Sequence, residues 1–437
     1  MQASTVSWVF AALVLASLAA RLWLATRQMR HVAAHRDRVP EPFAGSVGLD
    51  VHRKAADYTL AKGRLGLVGT AVGTAVLLGW TLLGGLDALN AALLDSVRPR
   101  LGDMAYELAL LAAFVLIGTL IELPLEWFSV FRLEQRHGFN RTTPALFATD
   151  QVKGLVVAAV LGLPLAALVL GLMGSAGAHW WLWAWAAWVG FMLLMMVVFP
   201  TVIAPWFNRF EPLADAELAA RVRALMTRCG FAARGLYVMD GSRRSAHGNA
   251  YFTGLGRAKR VVFFDTLLQR LAPSEVEAVL AHELGHYRLR HVPQRLAMMV
   301  GVSGVALATL GWLAQQPAFY LGLGVQPSLA APNDALALIL FMLALPPLAF
   351  FATPLGALLS RRHEFQADAY ACAQADGAAL ASALLRLHED NASTLTPDPL
   401  YARFYYSHPP AVERLAALPA PAVAAGTLGC IPDPVAT

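Results

Sequence analysis

Seven apolar stretches, each close to the length of a bilayer-crossing helix, decide what this chain can become. They run over residues 6–25, 65–86, 106–125, 155–173, 180–199, 298–313 and 335–355. In hydrocarbon a backbone must satisfy its own hydrogen bonds, so stretches of this kind fold as helices. The rest of the composition agrees. Of 437 residues, 57% are hydrophobic and 14% charged, with a mean hydropathy of +0.52. A soluble domain carries about 25% charged residues. The expected fold is therefore mostly α, a multi-pass membrane protein with about seven transmembrane helices and a smaller polar α+β part.

The remaining charge orients the spans, because cytoplasmic loops collect Lys and Arg. The loop after the first span holds Arg27, Arg30, Arg36, Arg38, Arg53, Lys54, Lys62 and Arg64, whereas the next holds only Arg98 and Arg100. The third holds Arg132, Arg136, Arg141 and Lys153, and the loops after spans four and six hold none. This alternation predicts an outside N-terminus, with residues 200–297 and the tail after 356 in the cytoplasm. The chain divides into 1–199 (spans one to five), 200–297 (polar part), 298–355 (spans six and seven) and 356–437 (tail). The first span has no Lys or Arg before it, which predicts a retained span rather than a signal peptide. The net charge of +5 and pI near 9.2 fit loops beside lipid headgroups. No zinc-knuckle spacing or basic helix points to nucleic acid. Cys229, Cys372 and Cys430 are distant and odd in number, so they predict no disulfide framework. Glu122 and Glu126 flank Pro124 near the inner end of span three; pairing with headgroup-level arginines is expected there, and lining a cavity is the alternative.

Within the polar part, 235–239, 249–252 and 260–264 read as short strands, the last two separated by Gly254 and Gly256. Ser274 and Glu277 form a capping-box pattern that predicts a helix start. On that helix lies His282-Glu-Leu-Gly-His286. Histidines four residues apart share one helix face and can meet one zinc ion, with Glu283 placed to act on water at the metal. Gly285 would let a neighbour approach closely or serve packing. Zinc needs a third protein ligand. Spacing offers Glu364 or its neighbour His363 in Ser360-Arg-Arg-His-Glu-Phe-Gln-Ala-Asp368. Asp368, one turn beyond Glu364, could fix the tautomer of a liganding imidazole. Both halves of such a site lie on the order of 15 Å along the helix from a span, near the membrane surface.

These segments resemble the type I CAAX prenyl protease family, integral membrane zinc metalloproteases of the gluzincin type. The resemblance extends to Ser245-Ala-His-Gly-Asn-Ala-Tyr-Phe252, Val262-Phe-Phe-Asp-Thr-Leu267 and His408-Pro-Pro-Ala-Val-Glu-Arg414, and to Gly138-Phe139-Asn140 and Ala204-Pro-Trp-Phe-Asn208-Arg209. It implies a chamber enclosed by seven helices and one Zn2+ per chain held by His282, His286 and Glu364, with Asp368 behind them. It further implies Glu283 as base, and His408 and Arg414 around the oxyanion. Asn249 and Ala250 would bind a peptide or protein substrate as an added strand. The implied activity is endoproteolysis near the C-terminus of CAAX-type substrates.

Two other functions share some of these features. One is a quality-control zinc protease of the HtpX type, a group with fewer spans. The other is a channel or transporter with a structural zinc, which a site fully ligated by protein would suit better. Arg outnumbers Lys 30 to 4, compatible with a bacterial inner membrane protein whose substrate lacks a prenyl group. No segment reads as a prenyl pocket.

Overall fold

The computed structural model describes residues 2–231, 235–253 and 260–418. Cys430 and the Gly254–Gly256 separation lie outside the described residues. Seven helices are long and apolar enough to cross a membrane: Ala3–Ala34, Leu49–Trp80, Asp103–His137, Pro144–Ser175, Gly177–Phe207, His291–Leu313 and Asp334–Gln374. Each contains most or all of one expected stretch, but the ends differ. Backbone hydrogen bonding continues past the lipid boundary, so a helix stops only where something stops it. Leu49–Trp80 accordingly begins well before its apolar run and carries Arg53, Lys54, Lys62 and Arg64 on helix rather than loop. It ends at Trp80, and Gly84, at φ +79°, opens the following short helix Gly85–Ser96.

Outward-facing residues such as Leu15, Val160, Leu194, Val305 and Leu355 are exposed, as a lipid-covered surface requires. Ala3–Ala34 buries Phe10, Val14, Ser17 and Leu24 along its length, but in several other spans burial is confined to the ends. Pro144–Ser175 buries only Phe147, Leu170 and Met173, and His291–Leu313 only His291, Leu310 and Gly311. Between those ends a Cβ added at Gly66, Gly69, Gly154, Gly162 or Gly301 would meet nothing within 4 Å. The bundle is thus knit at two levels around a hollow middle. The end remote from the polar part is closed by Phe10, Leu86, Tyr106, Leu110, Leu170, Leu310, Phe319 and Leu336. There Glu107, 4% exposed, accepts the backbone N–H groups of Asp334 and Ala335, both at 3.0 Å, and so caps the last span's helix.

Glu107 is the buried carboxylate of the third span; Glu122 and Glu126 are both exposed. The expected arginine pairing of the latter two is not formed among the described residues. Glu126 instead accepts from the Gln151 side chain at 2.9 Å.

The polar part is built on a four-stranded sheet, β1 (Phe210–Pro212), β2 (Gly235–Met239), β3 (Ala250–Thr253) and β4 (Arg260–Phe264), in the order β1-β2-β4-β3. β2 and β4 run parallel; β1 and β3 join them antiparallel, which leaves β3 on an edge. β1 was not foreseen, being three residues ending in proline. The amphipathic helix Ala216–Arg228, capped by Asp215 accepting from the Leu218 N–H at 2.9 Å, packs Leu218, Val222 and Leu225 against Val261, Phe263, Leu280 and Leu284. Each such side chain contributes roughly 1.5–3 kcal/mol on burial.

Candidate active site

The helix bearing the two motif histidines spans Pro273–Arg288. It starts earlier than the Ser274–Glu277 pattern implied. The Glu275 carboxylate accepts the N–H of Ala272 at 2.7 Å and also takes the Ser382 hydroxyl and the Arg386 guanidinium. Glu277 pairs instead with Arg228 at 2.9 Å. Half of this helix is buried, so its face is fixed by packing. It crosses Thr353–Gln374, the helix that continues the seventh span after a short 3-10 turn. The crossing point is Gly285. A Cβ there would lie 3.0 Å from the Ala367 Cα and 3.2 Å from its carbonyl oxygen. Absence of a side chain at Gly285 therefore lets the second helix approach, and that approach delivers Glu364 to the histidines.

His282, His286 and Glu364 come together as a small triangle. His282 Nε2 stands 3.3 Å from His286 Nε2 and 3.4 Å from Glu364 Oε2, and His286 Nε2 stands 3.4 Å from Glu364 Oε1. Ligands bound at zinc's usual 2.0–2.1 Å in a tetrahedron lie about 3.3 Å apart. Glu364 is 2% exposed, and its Oε2 lacks a hydrogen-bond partner. A buried carboxylate oxygen without a donor is costly unless a cation meets it. The donor set, its spacing and the orphaned oxygen all fit a zinc ion. His363 is not part of the triangle. Its ring stacks on His291, with centroids 4.0 Å apart.

Behind each histidine lies a partner for its other ring nitrogen. His282 Nδ1 meets Asp368 Oδ1 at 2.8 Å, and Arg414 clamps Asp368 with Nε and Nη2 at 2.8 and 2.5 Å. Arg414 is 7% exposed and thus lies under Asp368; the contact that geometry gives it is an orienting one. His286 Nδ1 meets His291 Nδ1 at 2.9 Å, and His291 Nε2 meets Gln366 at 3.0 Å. His291 was missed as a site residue. Five positions beyond His286 would be far round an unbroken helix. Arg290, at φ +58°, breaks the helix and turns His291 back; His291 then opens the sixth span's helix, closer to the motif than its apolar run suggested.

Glu283 is half-buried and lines a cavity of about 1080 Å3 together with His282, Asn249, Ala250, His408 and Arg414. Burial raises the Glu283 pKa above its usual range, while His282 and His286 pull it down. Burial opposes protonation of His282, but the Asp368 and Glu364 carboxylates beside it outweigh it and hold its pKa up at about 9. His408 is largely exposed, its Nε2 3.5 Å from Glu364 Oε1. Asn249 and Ala250 stand where β3 begins. The Asn249 carbonyl accepts from the Phe264 N–H of β4, so the next N–H, that of Ala250, faces the free edge and takes Asn249 Oδ1 at 2.8 Å.

A carboxylate beside a His-His-Glu triangle, an open strand edge and a bundle of spans together define a membrane-integral metallopeptidase. Two family profiles match the chain: "CAAX prenyl protease N-terminal, five membrane helices" over residues 28–209, and "Peptidase family M48" over residues 212–422. The chain belongs to peptidase family M48. It is 32% identical to a CAAX prenyl protease 1 homolog of Oryza sativa subsp. japonica, over 89% of this chain and 92% of that one. It is also 32% identical to CAAX prenyl protease 1 of Saccharomyces cerevisiae, over 87% and 88%. The crystal structure of S. mikatae Ste24p superposes with a TM-score of 0.88 at 30% identity, covering 95% of this chain and 99% of that one.

Proposed function

We propose that this chain is a zinc endopeptidase that cuts CAAX-type substrates near their C-terminus inside a membrane chamber. The observation that carries the reading is that His282 of the donor triangle, Glu283 and the start of edge strand β3 line one cavity. The relatives' printed names support the substrate class.

His282, His286 and Glu364 would hold the zinc, which when bound lowers the pKa of water and polarises a carbonyl. Glu283 takes the proton from the attacking water and passes it to the leaving amine nitrogen. His408 Nε2, on the open side of Glu364, donates to the developing oxyanion. The Arg414–Asp368 clamp and His291 keep the Nδ1 atoms of His282 and His286 occupied, so that both Nε2 atoms stay turned to one point. Substrate backbone adds to β3 at Asn249 and Ala250.

The same reading puts the site on the cytoplasmic side of a bacterial inner membrane, because the site-end segments carry most of the cationic residues and the remote end only Arg98 and Arg100. A farnesylated peptide and its unmodified twin, each incubated with and without a zinc chelator, test the proposal. We expect chelator-sensitive cleavage of the farnesylated peptide. Equal cleavage of both would remove the prenyl requirement and leave the peptidase.

A further inference from the structure

The cavity at the site carries an uneven charge. Its walls include Arg21, Lys62, Arg414 and several histidines, against a single acid, Glu283. Arg414 is taken up by Asp368. Arg21 is taken up by the Phe350 ring, over which it lies at 4.4 Å. Lys62 is different: it is exposed, lines the cavity, forms no ion pair among the described residues, and lies over the Tyr58 ring, 5.1 Å from its centroid. Through Tyr58 it stands at a definite place. The Tyr58 hydroxyl donates to Glu134 at 2.6 Å, Glu134 lies 3.9 Å from His247, and His247 is two residues before Asn249. Lys62 therefore marks the Asn249 end of β3.

A strand that adds antiparallel to β3 runs opposite to it, so its C-terminal residues leave past Asn249 toward Lys62. β3 already pairs antiparallel on its inner side. An ammonium without an ion pair among the described residues, at the end of that track, attracts one kind of group most strongly, an anionic one, and the anion every short C-terminal tail carries is its own carboxylate. We propose that Lys62 binds the free α-carboxylate of the substrate and so sets the cut a short distance from the C-terminus. This rests on the peptidase reading above and adds a specificity residue to it. Charge complementarity at Lys62 would make the protein measure from the chain end rather than read a sequence.

The test compares one peptide as the free acid and as the C-terminal amide, with zinc-loaded wild type, Lys62→Met and Lys62→Arg. Wild type is expected to favour the acid in kcat/KM by about tenfold or more, the size of one charge-assisted hydrogen bond. Lys62→Met should lose that ratio by slowing on the acid alone, and Lys62→Arg should keep most of it. Zinc affinity and melting temperature, unchanged in both variants, separate this from misfolding. An acid-to-amide ratio near one in wild type, or a ratio preserved in Lys62→Met, overturns the inference while leaving the peptidase intact. Failure of wild type to cut either peptide overturns the peptidase reading and this inference with it.

Discussion

The helix Pro273–Arg288 buries eight of its 16 residues, and the span Pro144–Ser175 buries three of its 32. Both are regular helices in one chain, so the contrast is one of purpose. The first is pressed on by the sheet, by Thr353–Gln374 and by Gly377–Asp390, so packing fixes its side chains. The second is fastened only at its ends, with lipid on one side and the hollow on the other. Chemistry demands the first condition, since ligands must converge on one point. Accommodation of a substrate demands the second. Fixing a helix at its two ends alone costs little stability in a bilayer, because the backbone hydrogen bonds are internal either way.

The contrast can be broken, starting with the largest effect. Glu283→Gln should lower kcat by about a thousandfold, within the range of a lost general base, with zinc content unchanged by metal analysis. Turnover by the metal-loaded variant near the wild-type rate would remove Glu283 as the base. Arg414→Met should weaken zinc binding about 10–100-fold in chelator competition, since Asp368 loses both guanidinium contacts. Gly285→Ala should weaken zinc by about tenfold, as a methyl 3.0 Å from the Ala367 Cα forces the two helices apart. The matching change in the open stretch of Pro144–Ser175, Gly162→Ala, should leave zinc affinity alone and shift stability by no more than about 1 kcal/mol, in the stabilising direction expected for alanine in a helix. If Gly285→Ala proved as mild as Gly162→Ala, the tight crossing would not be what sets the site.

Much of this was legible in the amino-acid order because its signals are local. Apolar length reveals spans, and a four-residue spacing puts His282 and His286 together. β2, β3 and β4 fell where their β-branched and aromatic runs lie. What stayed hidden depends on contacts between distant segments or on a break in periodicity. β1 exists only because Phe210–Pro212 meets Met239–Tyr237. His291 becomes a partner of His286 only through the left-handed residue Arg290. Spacing left His363 and Glu364 as rivals, and the crossing at Gly285 is what turns Glu364 toward the histidines. The apolar run of span two gave no hint that its helix begins at Leu49, because lipid exposure and helicity are separate conditions.

The distances along the chain carry a last consequence, for biogenesis. His282 meets Asp368 across 86 positions and Arg414 across 132. While the chain is being made, the two histidines leave the ribosome with neither the Glu364 carboxylate nor the Asp368–Arg414 pair that meet them in the fold. Glu364 rides on the continuation of the seventh span, so the triangle closes only after spans six and seven have been inserted and packed. Insertion thus acts as a safety catch. Until the polypeptide is nearly complete and seated in its bilayer, the three side chains proposed to hold the metal are not assembled.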